Sequence, residues 1–325
     1  MKLPRRRFLH LVAAATALPA VSRIAQAQAY PTRPVRFVVG FPSGGTGDIL
    51  ARIMGQWLSE RLGQSIIIEN KPGAASNISI QATVNSPPDG YTLVYISSSN
   101  AINTSLFETL PFDFERDIIP VAGIARVPFV MDVHPSVPAK TLAEFIAYAK
   151  ANPGKISMAS FGIGTSSHLA GELFKAMTGV NMVHIPYRGA APALTDLIAG
   201  QVQVYFDALP ASLPHIQNGA LHALAVTTAE RSDALPEVQT VGETVPGFEV
   251  SGWSGIGVRS GTPREIIEKL NREVNVGLAS PDIKARFGEL GVVPMPVTVA
   301  RFGAYVAAEM EKWRPVIKAA GIKVH

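Results

Sequence analysis

Residues Val39 to Arg52 read VGFPSGGTGDILAR, a glycine-rich turn between an apolar run (PVRFVVGF) and an amphipathic repeat. Strand, turn and helix in that order make an anion site. The first N–H groups of a helix have no intrahelical partner, and the helix dipole puts its positive end there. The turn holds no basic side chain before Arg52, which sits one turn into the helix. Phosphate sites often add Lys or Arg, so this turn favours a carboxylate held by backbone N–H groups and hydroxyls. Asp48 does not suit a simple anion pocket, because its charge would repel the ligand. At a helix start it reads as an organiser of the turn, its carboxylate accepting backbone N–H groups.

Working outward, Val35–Val39 is a strand and Asp48–Leu62 a helix with Ile49, Ile53 and Trp57 at helical spacing, ended by Gly63. A β-branched run at Ser65–Glu69, a helix near Asn77–Asn85 and a strand at Tyr91–Ile96 follow. The same order returns later in the chain. Ile156–Ser160 is a strand, FGIGTSSH (161–168) a glycine turn, and Leu169, Leu173, Phe174 and Met177 mark a helix ending at Gly179. Val183–Ile185, Pro192–Ala199 and Val202–Phe206 complete a second strand–helix–strand–helix–strand unit. Gly45-Thr46 matches Gly164-Thr165, Leu50-Ala51 matches Leu169-Ala170, Gly63 matches Gly179, and Gly73-Ala74-Ala75 matches Gly189-Ala190-Ala191.

Two βαβαβ units predict an α/β protein of two lobes, each a mixed, mainly parallel sheet flanked by helices. In such sheets ligands bind at the carboxyl ends of the strands, so two facing crevices form one cleft. Apolar, glycine-bearing runs at Val121–Val133 and Val250–Val258 read as the strands that cross between lobes. The expected division is 28–127 plus 250–325 for the first lobe and 128–249 for the second.

Of the 325 residues, 47% are hydrophobic and 17% charged, which suits a large core. The net charge of +4 is concentrated at the start. Residues 1–27 carry Lys2, Arg5, Arg6, Arg7 and Arg23 with no acid; without them 24 basic residues face 25 acidic ones. Nucleic-acid binding thereby loses its main support. KLPRRR, a short apolar run and Ala25-Gln26-Ala27 read as an export signal, and Arg5-Arg6-x-Phe8-Leu9 resembles a twin-arginine type. The expected destination is the periplasm, as a monomer. The chain contains no cysteine, which excludes disulfides and thiol chemistry.

Catalytic and metal motifs are absent from the sequence. Gly252-Trp253-Ser254-Gly255-Ile256 misses the Gly-x-Ser-x-Gly elbow at its last position, and neither glycine turn fits Gly-x-Gly-x-x-Gly. The seven histidines show no metal-ligand spacing. No catalytic residue, metal or cofactor is expected. Ser97-Ser98-Ser99-Asn100 and Asp207 stand at strand ends where the cleft should lie, and Ser98 and Asn100 offer uncharged hydrogen-bond groups. Phe41, Phe161 and Tyr187 would frame an aromatic acid or serve as packing. Ser167 is a candidate helix cap and His168 a packed or capping residue. Arg188 would pair with a ligand carboxylate or with another surface group.

Taken in order, YPTRPVRFVVGFPSGGTGDILAR, NKPGAASN, PPDGYTL, ANPGKISMASFGIGTSSHLAGELF and HIPYRGAAPALTDLIAGQVQVYFDALP resemble Bug-type solute-binding proteins, the receptors of tripartite tricarboxylate transporters. That resemblance spans the whole chain. It implies a type II-like periplasmic binding fold that closes around a small carboxylate and delivers it to a membrane transporter. It further implies ligand contacts at Phe41, Ser43, Gly44, Gly45, Gly47 and Asp48, opposite Gly162, Gly164, Thr165 and Ser166, with Asp207 nearby. The alternatives are a ligand sensor docking on a signalling receptor and an exported hydrolase using Ser167 and His168.

Overall fold

The computed structural model describes residues 30–320, so the leader read at 1–27 lies outside the described residues. The first unit is β1 (Val35–Val39), α1 (Thr46–Leu62), β2 (Ile66–Asn70), α2 (Asn77–Val84) and β3 (Thr92–Ser97). Helices α3 (Ser98–Leu106) and α4 (Phe114–Asp117) lead into the long strand β4 (Ile118–Val133). After α5 (Leu142–Ala151) comes the second unit: β5 (Ile156–Ser160), α6 (Ser166–Thr178), β6 (Met182–Pro186), α7 (Ala190–Ile198) and β7 (Val204–Ala208). The rest is α8 (Leu209–Gln217), β8 (His222–Val226), α9 (Val241–Thr244), β9 (Ser251–Arg259), α10 (Arg264–Ala279), α11 (Pro281–Glu289), β10 (Val293–Pro294) and α12 (Val299–Ala320). No described helix is long and apolar enough to cross a membrane.

The strands run in the order β2-β1-β3-β9-β4-β7-β5-β6, with β8 and β10 also paired to β4. In each unit the first strand sits between the other two and pairs parallel with both: β2-β1-β3 and β6-β5-β7. Identical order in the two units is what a duplication predicts. The helix after each first strand also ends alike, on Gly63 (φ 69°) and Gly179 (φ 71°). A left-handed residue at that position closes the last turn, and glycine adopts it without strain.

Strand β4 joins the two sheets. From Ile118 to Pro128 it pairs antiparallel with β9; from Phe129 to Val133 it pairs with β7. The second expected crossing falls earlier than the sequence suggests. β9 stays in the first sheet, and the return is made just before it, where the Val250 N–H donates to Thr227 O at 2.9 Å. The end of the chain also departs from the expected division. Phe302, Val306 and Met310 of α12 pack in the first lobe, whereas Trp313 and Ile317 join the core of the second with Phe174 and Phe206. A helix of 22 residues is about 33 Å long, enough to brace both lobes.

Candidate ligand-binding site

The first glycine turn is built around Asp48, which is 3% exposed. Its Oδ2 accepts from the Gly44 N–H (3.0 Å) and Arg52 Nε (2.9 Å), and its Oδ1 accepts from Asn70 Nδ2 (2.9 Å). Asn70 Nδ2 also donates to Phe41 O at 3.0 Å. One carboxylate thus ties the turn to its own helix and to β2. Burial opposes its charge, but the Arg52, Gly44 and Asn70 donors prevail and hold the carboxyl below its usual range. The organiser role expected of Asp48 is the one its hydrogen bonds describe. Arg52 is thereby paired to Asp48.

The second turn is held without any ionised group. Thr165, not Ser167, is the cap of α6: its Oγ1 accepts from the His168 N–H (3.4 Å) and donates to Gly162 O (2.7 Å). Ser167 is turned into the fold and donates to Phe206 O at 2.6 Å. The Gly164 N–H donates to His168 Nδ1 at 3.3 Å. Behind it the His168 ring stacks on His184, centroids 4.1 Å apart and planes 16° from parallel. His184 Nε2 lies 2.7 Å from Ser160 Oγ, which also accepts from the Gly162 N–H (3.2 Å). Burial pushes both imidazoles down to about 4, helped by Lys175 and, for His184, by the neighbouring ring.

The two turns meet. Ser98 Oγ lies 2.7 Å from Ser166 Oγ, the Ser166 N–H donates to Ser99 Oγ at 3.3 Å, and Phe41 meets Phe161 edge-on at 5.9 Å. Between them is a small cleft bordered by both turns. Five helix starts line it: Gly45–Gly47 for α1, Ser97–Ser99 for α3, Ser166 for α6, Ala190 for α7 and Ala208 for α8. Phe41, Tyr95, Val127, Phe129, Phe161 and Trp253 supply an apolar wall. No Lys or Arg is among the described residues lining it. Each helix start brings the positive end of its dipole, about half a charge, to the wall, which also holds one carboxyl, Asp207. Thr46 Oγ1 and Trp253 Nε1 are buried donors without a partner among the described residues. Orphaned donors in a cavity wall are what a hydrogen-bonding ligand would satisfy.

Of the residues expected at the site, Phe41, Gly45, Gly47, Ser98, Phe161, Ser166 and Asp207 line this cavity. Ser43 and Gly44 are exposed on the outer side of the first turn. Asn100 is used inside the fold, its Oδ1 accepting from the Ser97 N–H at 2.9 Å. Asp48 and Thr165 shape their turns from behind. Gly164 faces Leu106, Phe107 and Asn103 rather than the cavity. Gly162, Tyr187 and Arg188 line a neighbouring opening, where the Tyr187 hydroxyl donates to Asp196 at 2.7 Å. Asp207 lies inside β7 rather than after it and is fully buried. Its Oδ2 accepts from Ser212 Oγ at 2.9 Å, its Oδ1 has no partner among the described residues, and burial pushes the carboxyl up to about 7. Sequence reading missed Tyr95, Val127, Phe129, Gly252 and Trp253. Each is a strand residue whose apolar character marks a core, and only the pairing of β3, β4 and β9 turns it to the cleft.

Spacing also concealed a cluster. His168, Glu172 and His184 bring donor atoms within 4.8 Å of one another. They suit a metal poorly. Nearly parallel rings cannot aim their lone pairs at one ion, and the Gly164 N–H on Nδ1 of His168 leaves the proton on Nε2. Lys175 Nζ, 2.9 and 3.0 Å from the two Glu172 oxygens, already supplies a cation.

Two lobes with a cleft between them, lined by helix starts and apolar side chains, have the form of a solute-binding protein. The chain belongs to the tripartite tricarboxylate transporter family receptors, whose family pattern matches residues 50–322. It is 35% identical to protein BugT of Bordetella pertussis over 321 residues, covering 98% of both chains. Among solved structures it is similar to Rpa4515 of R. palustris with adipate (39% identity, TM-score 0.88, 90% of this chain and 99% of that one). It is also similar to MatC of Rhodopseudomonas palustris with bound malate (30% identity, TM-score 0.84, 89% and 100%). This is a family of binding receptors, not of enzymes.

Proposed function

We propose that this protein is a periplasmic receptor that captures a small organic acid between its lobes and delivers it to a tripartite tricarboxylate-type membrane transporter. The observation that carries the reading is the cavity lined by five helix starts, with no cationic side chain among the described residues of its wall. Such a site holds a carboxylate through N–H and O–H donors while its apolar wall receives the carbon skeleton. The adipate and malate of the similar structures are acids of this kind. Delivery to a transporter is supported by the family, and export by the leader at residues 1–27. Micromolar affinity corresponds to about −8 kcal/mol, within reach of several charge-assisted hydrogen bonds.

Titration calorimetry with mono-, di- and tricarboxylates, adipate and malate included, tests the reading, with inorganic phosphate as control. At least one acid should give heat and raise the melting temperature. Silence from every acid in both measurements, or preference for phosphate, would overturn it.

A further inference from the structure

The ligand cavity does not account for the stacked pair His168–His184. Both rings lie behind the second turn, and His168 is 7% exposed. They hold that turn from two sides. Nδ1 of His168 takes the Gly164 N–H, and His184 meets Ser160, whose hydroxyl oxygen takes the Gly162 N–H. Ser166, at the end of the same turn, lines the cavity and contacts Ser98 and Ser99 of α3.

We propose that the His168–His184 pair positions the second turn for ligand capture, and that a proton on the pair releases it, so that acid loosens the grip. The chemistry is local. Protonated Nδ1 cannot accept from Gly164; it becomes a donor facing a donor. A charge on one ring also faces its stacked neighbour.

The surroundings oppose that charge. From α6, Lys175 disfavours a proton on both rings, and Glu172, with Oε1 3.8 Å from His168 Nε2, favours one. Strand β6 contributes His184 itself and β5 only the neutral Ser160. The balance leaves both rings near 4, against about 6.5 for a free imidazole. An opened turn that returns a ring to water regains the ordinary value. Between those limits the open form binds the extra proton, so opening is favoured by up to about tenfold for each unit of falling pH. Below 4 the effect saturates. Asp207 has the opposite sign: its carboxyl, raised to about 7, is neutralised by acid, which favours an anion in the cleft. Loss of grip in acid therefore cannot come from Asp207.

This inference rests on the carboxylate-receptor reading, and two measurements separate their failures. The first needs no ligand. Amide hydrogen exchange, corrected for intrinsic rates, is followed from pH 7.5 to 4.5. Protection across Gly162–His168 should fall at least tenfold, while Gly44–Ile49 in the first turn stays within threefold. His168→Asn keeps an acceptor near the Nδ1 position but does not titrate, so it should stay protected at pH 7.5 and lose the part of the pH slope that His168 carries, His184 still titrating. His168→Leu should be unprotected throughout; if it fails to fold, wild type and His168→Asn decide. The second measurement is calorimetry with adipate as probe over the same pH range. Wild type should lose at least tenfold more affinity than His168→Asn, the protonation of adipate being common to both. A flat wild-type exchange profile, equal loosening of both turns, or an unchanged slope in His168→Asn would overturn the proposal. Loosening of the second turn without adipate binding supports the positioning role and counts against adipate as ligand. Adipate binding with a flat exchange profile does the reverse.

Discussion

The two glycine turns are matched in sequence order and in backbone, yet they are fastened by different chemistry. The helices begin at Thr46 and Ser166, so the structure sets Gly44 opposite Gly164, one residue before the Gly45 that the sequence match pairs with it. Both hold the same left-handed conformation, φ +83° and +82°. Four residues on, the first turn has Asp48 and the second His168, and each accepts the N–H of its own glycine. The first fastening is an ionised carboxylate with a guanidinium and an amide as partners. The second is a neutral imidazole backed by another. After duplication the geometric task is the same, an acceptor for one N–H, and two side chains of opposite acid–base character perform it. The fastening chemistry therefore separates the pH ranges in which the turns fail. The Asp48 carboxyl lies below its usual range, so its contribution is lost only as pH falls through that lowered value, below the window of the histidine pair.

The largest break in this comparison is Asp48→Ala. It leaves the Gly44 N–H, Arg52 and Asn70 without their shared acceptor, a loss of about 3 kcal/mol in stability. Affinity for whichever acid binds should fall roughly a hundredfold, about 2.7 kcal/mol. Thermal melting and calorimetry check both, and an unchanged affinity would show that the carboxylate does not organise the site. A subtler contrast comes from placing alanine at the two matched glycines. Both substitutions cost about 1–2 kcal/mol for a left-handed residue. At Gly44 the added carbon meets nothing within 4 Å; at Gly164 it lies 3.0 Å from Leu106 and 3.2 Å from Phe107. Gly44→Ala should therefore lower stability but leave affinity within about threefold, whereas Gly164→Ala should also reduce affinity about tenfold by crowding the second turn against the end of α3. Equal affinity in the two variants would show that this contact does not matter for closure. The smallest effect belongs to Ser98→Ala, which removes the 2.7 Å contact with Ser166. A loss of about 1 kcal/mol, roughly fivefold in affinity, is expected by calorimetry.

The fold was legible in the sequence because duplication repeats local rules. Glycine stops, β-branched runs and helical periodicity recur in one order, and that order is enough to imply two parallel three-strand units. The turns were legible because short-range chemistry shapes them, as Asp48 shows. Contacts over long sequence distance were not legible. Val127 and Phe129 read as interior strand residues, and nothing local shows that β4 places them beside Trp253 in the cleft. His168 and His184 are separated by a helix and a turn, so no spacing rule couples them; parallel pairing of β5 with β6 carries His184 to the stack. The reach of α12 into the second core likewise depends on where a long helix ends, not on its own pattern.

The shared strand β4 has a mechanical consequence. Pairing with the first sheet ends at Pro128 and pairing with the second begins at Phe129. Proline fixes its own φ and offers no N–H, so the joint between lobes is stiff at one residue and free of a ladder bond there. Val127 and Phe129, on either side of it, form part of the cavity wall. One crossing between the lobes and part of the cavity wall are therefore the same piece of backbone. A molecule seated in the cavity would rest directly against this crossing, with no relay between them, while the return before β9 and helix α12 also tie the lobes together.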